Sequence, residues 1–141
     1  MKIDFSFSRE ERLKNFTAIR SLFTSGRALN HYPFRIIWLP LEGVQSVFPV
    51  QVAISVPRKK FPRAVDRNRI KRLIREAYRL HKHELYQALA GETQCYAIMI
   101  MYVDKSLPVY AAVEPQISKA LHRLGKKIVA ASAPNDSDGK V

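Results

Sequence analysis

The chain has 141 residues, 47% of them hydrophobic, and a formal net charge of +12 from 24 Lys and Arg against 12 Asp and Glu. That length suits one domain with a proper core and excludes two of ordinary size, while the charge calls for a polyanionic partner, nucleic acid or an anionic membrane. No apolar run approaches the roughly 18 residues that a membrane span requires, and the N-terminal Met1 to Ser6 lacks the apolar stretch of a signal peptide, so the expected location is cytoplasmic.

In chain order, Ser8-Arg9-Glu10-Glu11 has the spacing of a capping box, but Asn15 makes the better helix start. Phe16, Ile19, Leu22 and Phe23 follow it at helical spacing, which predicts a first helix from Phe16 to Ser25, with Leu13 and Phe16 anchoring its entry and Gly26 as a left-handed stop. The alternation from Pro33 to Pro40 predicts a strand with Phe34, Ile36 and Trp38 on one face and Arg35, Ile37 and Leu39 on the other. A turn from Leu41 to Ser46, with Gly43 at its tip, leads to a second strand from about Val47 to Val56, interrupted near Pro49. The strands read as an antiparallel pair or a three-strand meander.

Arg58 to Lys82 holds eleven of the 24 Lys and Arg and only two acids, Asp66 and Glu76. At 100° per residue from Ile70, the residues Leu73, Ile74, Ala77, Tyr78 and Leu80 fall within about 80° of it and make one apolar stripe. Asn68, Lys71, Arg72, Arg75, Arg79 and Lys82 fill the opposite arc, from about 100° to 200°. Asp66 suits the N-cap and the positive end of the helix dipole, and the helix is expected to run to about Ala90. Lys71, Arg75 and Arg79 follow one another at i,i+4, where like charges repel, so this face is stabilised by an anionic partner, and the arginine fork suits phosphate oxygens.

Gln94 to Val103 is an apolar run that reads as a strand covered on both faces. It contains Cys95, the single cysteine, which excludes an internal disulfide and reads as a buried strand thiol. A last helix is expected to start near Pro115 and to present Ile117, Leu121, Leu124 and Ile128 on one side, with Lys119, His122, Arg123, Lys126 and Lys127 as a second basic face. Residues 131–141 read as a disordered polar tail, leaving 1–130 as the single domain. The order of helix, two or three strands, helix, strand and helix is that of an α+β sandwich with helices against a small sheet.

The run Ala64-Val65-Asp66-Arg67-Asn68-Arg69-Ile70-Lys71-Arg72-Leu73-Ile74-Arg75-Glu76-Ala77-Tyr78 resembles the Arg-Asn-Arg signature of the bacterial ribonuclease P protein component. Ile54-Ser55-Val56-Pro57-Arg58-Lys59-Lys60 resembles the strand and Lys-Lys that precede that signature, with Pro62 where the family usually has Gly. The resemblance implies the element order αβββαβα as a two-layer sandwich, with a left-handed crossover around the basic helix, against the usual right-handed rule.

It also implies a function. The expected role is a ribonuclease P subunit that binds the catalytic RNA and the 5′ leader of precursor tRNA, with hydrolysis carried out by the RNA and its magnesium ions. The implied RNA contacts are Arg58, Lys59, Lys60, Arg67, Asn68, Arg69, Lys71, Arg72 and Arg75. The implied leader cleft, between the first helix and the sheet, draws on Ile19, Phe23, Phe34, and Ile37 or Trp38; aromatics suit it because every base offers a face for stacking. The bland reading keeps Phe16 in the core and leaves Phe23 and Phe34 divided between core and cleft. No catalytic residues, protein-bound metal or cofactor are expected: His81 and His83 point about 200° apart on a helix, His81 with Glu84 is only a two-ligand spacing, and no phosphate loop or nucleophile elbow is present. The alternative is a non-enzymatic RNA-binding module such as a ribosomal or RNA-chaperone protein; a DNA binder ranks third, since no turn-helix pair precedes the basic helix.

Overall fold

The computed structural model describes residues 6–44 and 46–132. A 3-10 turn, Arg9–Glu11, leads to helix α1, Phe16–Ser25, strands β1, Arg27–His31, β2, Phe34–Leu41, and β3, Val50–Ser55, helix α2, Ala64–Ala88, strand β4, Cys95–Tyr102, and helix α3, Tyr110–Ser132. This is the expected α+β order, and the sheet order is β1-β2-β4-β3.

Helix α1 has the bounds read from its spacing, and the Asn15 side chain accepts a hydrogen bond from the Ala18 amide at 3.0 Å. Gly26, however, is not left-handed: its φ of −71° and ψ of 155° are extended. Glycine is needed there for space, because a Cβ would lie 2.4 Å from the Leu22 carbonyl oxygen and 2.5 Å from Ile37 Cγ2. The chain can then turn directly into β1.

Strand β1 has no counterpart in the sequence-based reading. It pairs antiparallel with β2 from Arg27 opposite Trp38 to His31 opposite Phe34, across the turn at Tyr32-Pro33. Strand β3 does not pair with β2, as either the expected antiparallel pair or the expected meander requires. β4 lies between them, antiparallel to β2 and parallel to β3. Parallel neighbours need a long crossover, and α2 supplies it. On the free side of β3, Arg12 forms a bridge with Val52 and the Leu13 amide donates to the Val52 carbonyl at 2.9 Å, which covers an otherwise open edge.

The alternation of β2 and β4 separates two cores. Phe34, Ile36, Trp38, Tyr96, Ile98, Ile100 and Tyr102 meet the apolar faces of α2 and α3. Ile37, Ala97 and Met99 meet Leu13, Ala18 and Leu22 on the other side. The sheet packed against two helices is therefore completed by α1 on its opposite face.

Helix α2 starts at Ala64 with Arg63 as N-cap, so Asp66 sits inside the first turn, still at the positive end of the dipole. Its buried residues are Ile70, Ile74, Ala77, Tyr78, Lys82 and Leu85, a stripe turned about 50° from the one centred on Ile70. Leu73 and Leu80 are consequently only half-buried. Helix α3 starts at Tyr110 and contains Pro115, because burying Val113 extends the Ile117–Leu121–Leu124–Ile128 stripe by one turn. It reaches Ser132, past the expected domain end; the remainder of the expected tail lies outside the described residues. Gly125 lets α3 approach α2, since a Cβ there would stand 3.1 Å from Ala88 Cβ.

Candidate nucleic-acid interface

The stretch linking β3 to α2 is held by protein contacts that the sequence did not announce. Phe61 is buried against Tyr102, with ring centroids 6.0 Å apart. Arg67 donates from Nη1 to the carbonyls of Phe61 at 2.9 Å and Pro62 at 2.8 Å, and Lys60 Nζ donates to the Val103 carbonyl at 2.5 Å. These two cations shape the loop as well as adding charge.

Arg58, Lys59, Arg69, Lys71, Arg72 and Arg75 differ: none has a hydrogen bond or ion pair to any described residue. Arg58, Lys59, Asn68, Arg69 and Arg72 are exposed and Lys71 and Arg75 half-buried. Further along, Arg79 pairs with Glu76 at 2.5 Å, and the pair lowers the Glu76 carboxyl below its ordinary value. The unpartnered part of the cationic face therefore ends at Arg75.

Lys82 leaves that face altogether. It is 1% exposed, and its ammonium donates to Glu11 Oε2 at 2.5 Å and to the Ser6 carbonyl. Glu11 also accepts from the Tyr86 hydroxyl at 2.6 Å and from the Ser8 amide at 2.8 Å. Burial acts to raise the Glu11 carboxyl, but the bonds from Lys82, Tyr86 and Ser8 outweigh it and hold the group below its ordinary value. The capping-box spacing at Ser8 was the visible sign of this network; its partners, far along the chain, had no local signal.

The proposed cleft residues divide between the two sides of the sheet. Phe34 and Trp38 are buried on the α2–α3 side and cannot line a space next to α1. Ile37 is on the α1 side, with half-buried Ile19 packed against the same cluster. Phe23 is 55% exposed and Phe16, read as core, is 73% exposed. At 100° per residue, Phe16, Ile19 and Phe23 fall within about 60° of one another, an apolar flank of α1 whose Ile19 packs against the same cluster as the half-buried Ala53 and Met101 of the sheet. Phe16 escaped notice because its spacing fits a core position equally well.

His81 and His122 tie α2 and α3 together. His81 Nε2 is 3.1 Å from Glu114 Oε2, and His122 Nδ1 is 2.8 Å from Glu84 Oε2. Cys95 is buried, which pushes its thiol up.

The family model for ribonuclease P matches residues 7–129. The chain belongs to the ribonuclease P protein family. The ribonuclease P protein component of Porphyromonas gingivalis is 39% identical over 133 residues, covering 94% of this chain and 96% of the relative. That of Chlorobium phaeobacteroides is 31% identical over 128 residues, covering 84% and 88%. The RNase P protein from Thermotoga maritima shares the fold, with a TM-score of 0.62 at 21% identity over 80% of this chain and 96% of that one. Membership makes the chain a subunit of the ribonucleoprotein endoribonuclease that matures tRNA 5′ ends, with ribonuclease P RNA as its partner, and decides against a ribosomal or chaperone module. No described helix is long and apolar enough to cross a membrane.

Proposed function

We propose that this ribonuclease P protein acts in the cytoplasm by gripping the RNA subunit through the exposed cations of α2 and its preceding loop, and by holding the 5′ leader of precursor tRNA along α1. Hydrolysis belongs to the RNA, which uses magnesium, and no membrane takes part. The observation that carries this reading is the row Arg58, Lys59, Arg69, Lys71, Arg72 and Arg75, which has no counter-charge among the described residues. Such a row repels itself until phosphates neutralise it. Arg67 and Lys60 set the loop's shape and add charge beside it. Phe16 and Phe23 offer leader bases exposed rings, each stack contributing about 1–3 kcal/mol, with Ile19 and Ile37 beneath.

Reconstitution tests the reading. Adding the chain to a bacterial ribonuclease P RNA at low magnesium is expected to restore 5′ cleavage of precursor tRNA, and Arg69→Ala with Arg72→Ala to weaken the restoration at limiting protein. Protein without RNA is expected to leave the precursor intact. Specific cleavage by the protein alone, in proportion to its concentration, would overturn the division of labour.

A further inference from the structure

A second cationic site lies at the start of β1 and the last turns of α3. Arg27 sits opposite Trp38 in the β1–β2 ladder, and its guanidinium lies over the indole, 5.6 Å from the ring centroid. Trp38 lines two adjoining hollows of about 330 and 450 Å³, whose other walls include Arg27, Lys127 and Ser132. It is 3% exposed, and its indole N–H has no acceptor among the described residues.

These features select a ligand class. An indole N–H can only donate, and a buried donor without a partner is costly, so the groove favours an acceptor. Arg27 and Lys127 are exposed and have no carboxylate partner among the described residues, which makes the favoured acceptor an anion. Glu92 belongs to the same surroundings, but its carboxylate already accepts from Tyr96 Oη and Ser132 Oγ, both at 2.8 Å. Arg123 adds charge along the same flank, donating to the Asn30 carbonyl at 3.2 Å and to His31 Nδ1 at 2.8 Å.

The site is distinct from the α2 face. Trp38 stands opposite Ile98, midway along β4, whereas Lys60 reaches Val103, just past its end. We propose that this groove binds a backbone phosphate of RNA. Arg27 and Lys127 hold the phosphate, the Arg27 guanidinium moves off the ring as the anion arrives, and the indole N–H is the donor at the floor. The proposal rests on the RNA-binding reading only for the identity of the molecule that carries the phosphate.

Trp38 is the chain's single tryptophan, so its emission reports this groove, while the anisotropy of end-labelled ribonuclease P RNA reports total binding. With the full chain, emission is expected to change with the same midpoint as anisotropy. Arg27→Gln with Lys127→Gln should keep the melting temperature, lose the emission change and weaken binding by about tenfold at low salt. Arg69→Ala with Arg72→Ala should weaken binding yet keep the emission change at saturation. RNA binding with constant wild-type emission, or an unaltered response in the Arg27 and Lys127 variant, overturns the groove and leaves the α2 reading standing. No rise in anisotropy overturns both. A groove filled by the chain's own C-terminus would also contradict the proposal. It would show as an emission shift on Asp136→Asn with Asp138→Asn in RNA-free protein and none on adding RNA.

Discussion

Lys82 and Glu11 are both buried, and their ion pair ties the N-terminal segment to the middle of α2. Two charges removed from water are tolerable only when fully bonded, and Glu11 has Lys82, Tyr86 and Ser8 around it. Lys82→Met strands the carboxylate and is expected to cost about 3–5 kcal/mol of stability. The double variant Glu11→Gln with Lys82→Met should recover much of that loss in a denaturant titration. The pair also sets an acid limit. Because the folded Glu11 pKa lies below its ordinary value of 4.5, its contribution is complete above that pH and is lost as pH falls through the depressed folded value. Melting temperature should therefore fall more steeply below pH 4.5 in the wild type than in the double variant. Parallel profiles would contradict this role. Lys82 read as surface charge because a helical wheel centred on Ile70 places it opposite the core; only the position of the N-terminal segment, a tertiary fact, turns that side inward.

Among the elements, those with their own period were legible: α1 in both bounds, β4 as a doubly covered strand, and the alternation of β2. Strand β1 was not, because in Arg-Ala-Leu-Asn-His only Leu29 is buried, and one buried residue makes no period. The pairing of β3 was also invisible, since which strand it joins depends on where α2 returns the chain. For the candidate site, the arc of α2 from Asn68 to Arg75 followed from helical spacing, whereas buried Lys82 and the α1 flank needed the structure, in which Phe16 and Phe23 are exposed and Phe34 is not. Ile74→Ala should cost about 2–5 kcal/mol by opening a cavity in the α2–α3 core, with Leu73→Ala costing less because that side chain is half-buried. Phe16→Ala with Phe23→Ala should leave the thermal melt nearly unchanged and reduce affinity for leader-bearing precursor, while affinity for mature tRNA stays the same. Unchanged leader dependence would remove the α1 flank from the binding site.

At the scale of the whole molecule, a net charge of +12 includes a row of cations without partners among the described residues, along the β3–α2 loop and the first half of α2, while Lys82, Arg67 and Lys60 are paired or bonded to carbonyls. A group of unpartnered cations that meets RNA phosphates releases counterions on binding, and the salt dependence of affinity measures that release. The dissociation constant for ribonuclease P RNA should be followed from 50 to 200 mM monovalent salt, with the wild type beside Arg69→Ala with Arg72→Ala. With about four phosphate contacts, wild-type affinity is expected to fall roughly a hundredfold over that range. Losing two contacts should lower the slope of the logarithmic plot by about 2. Equal slopes for the two proteins, or a wild-type affinity almost indifferent to salt, would contradict the account.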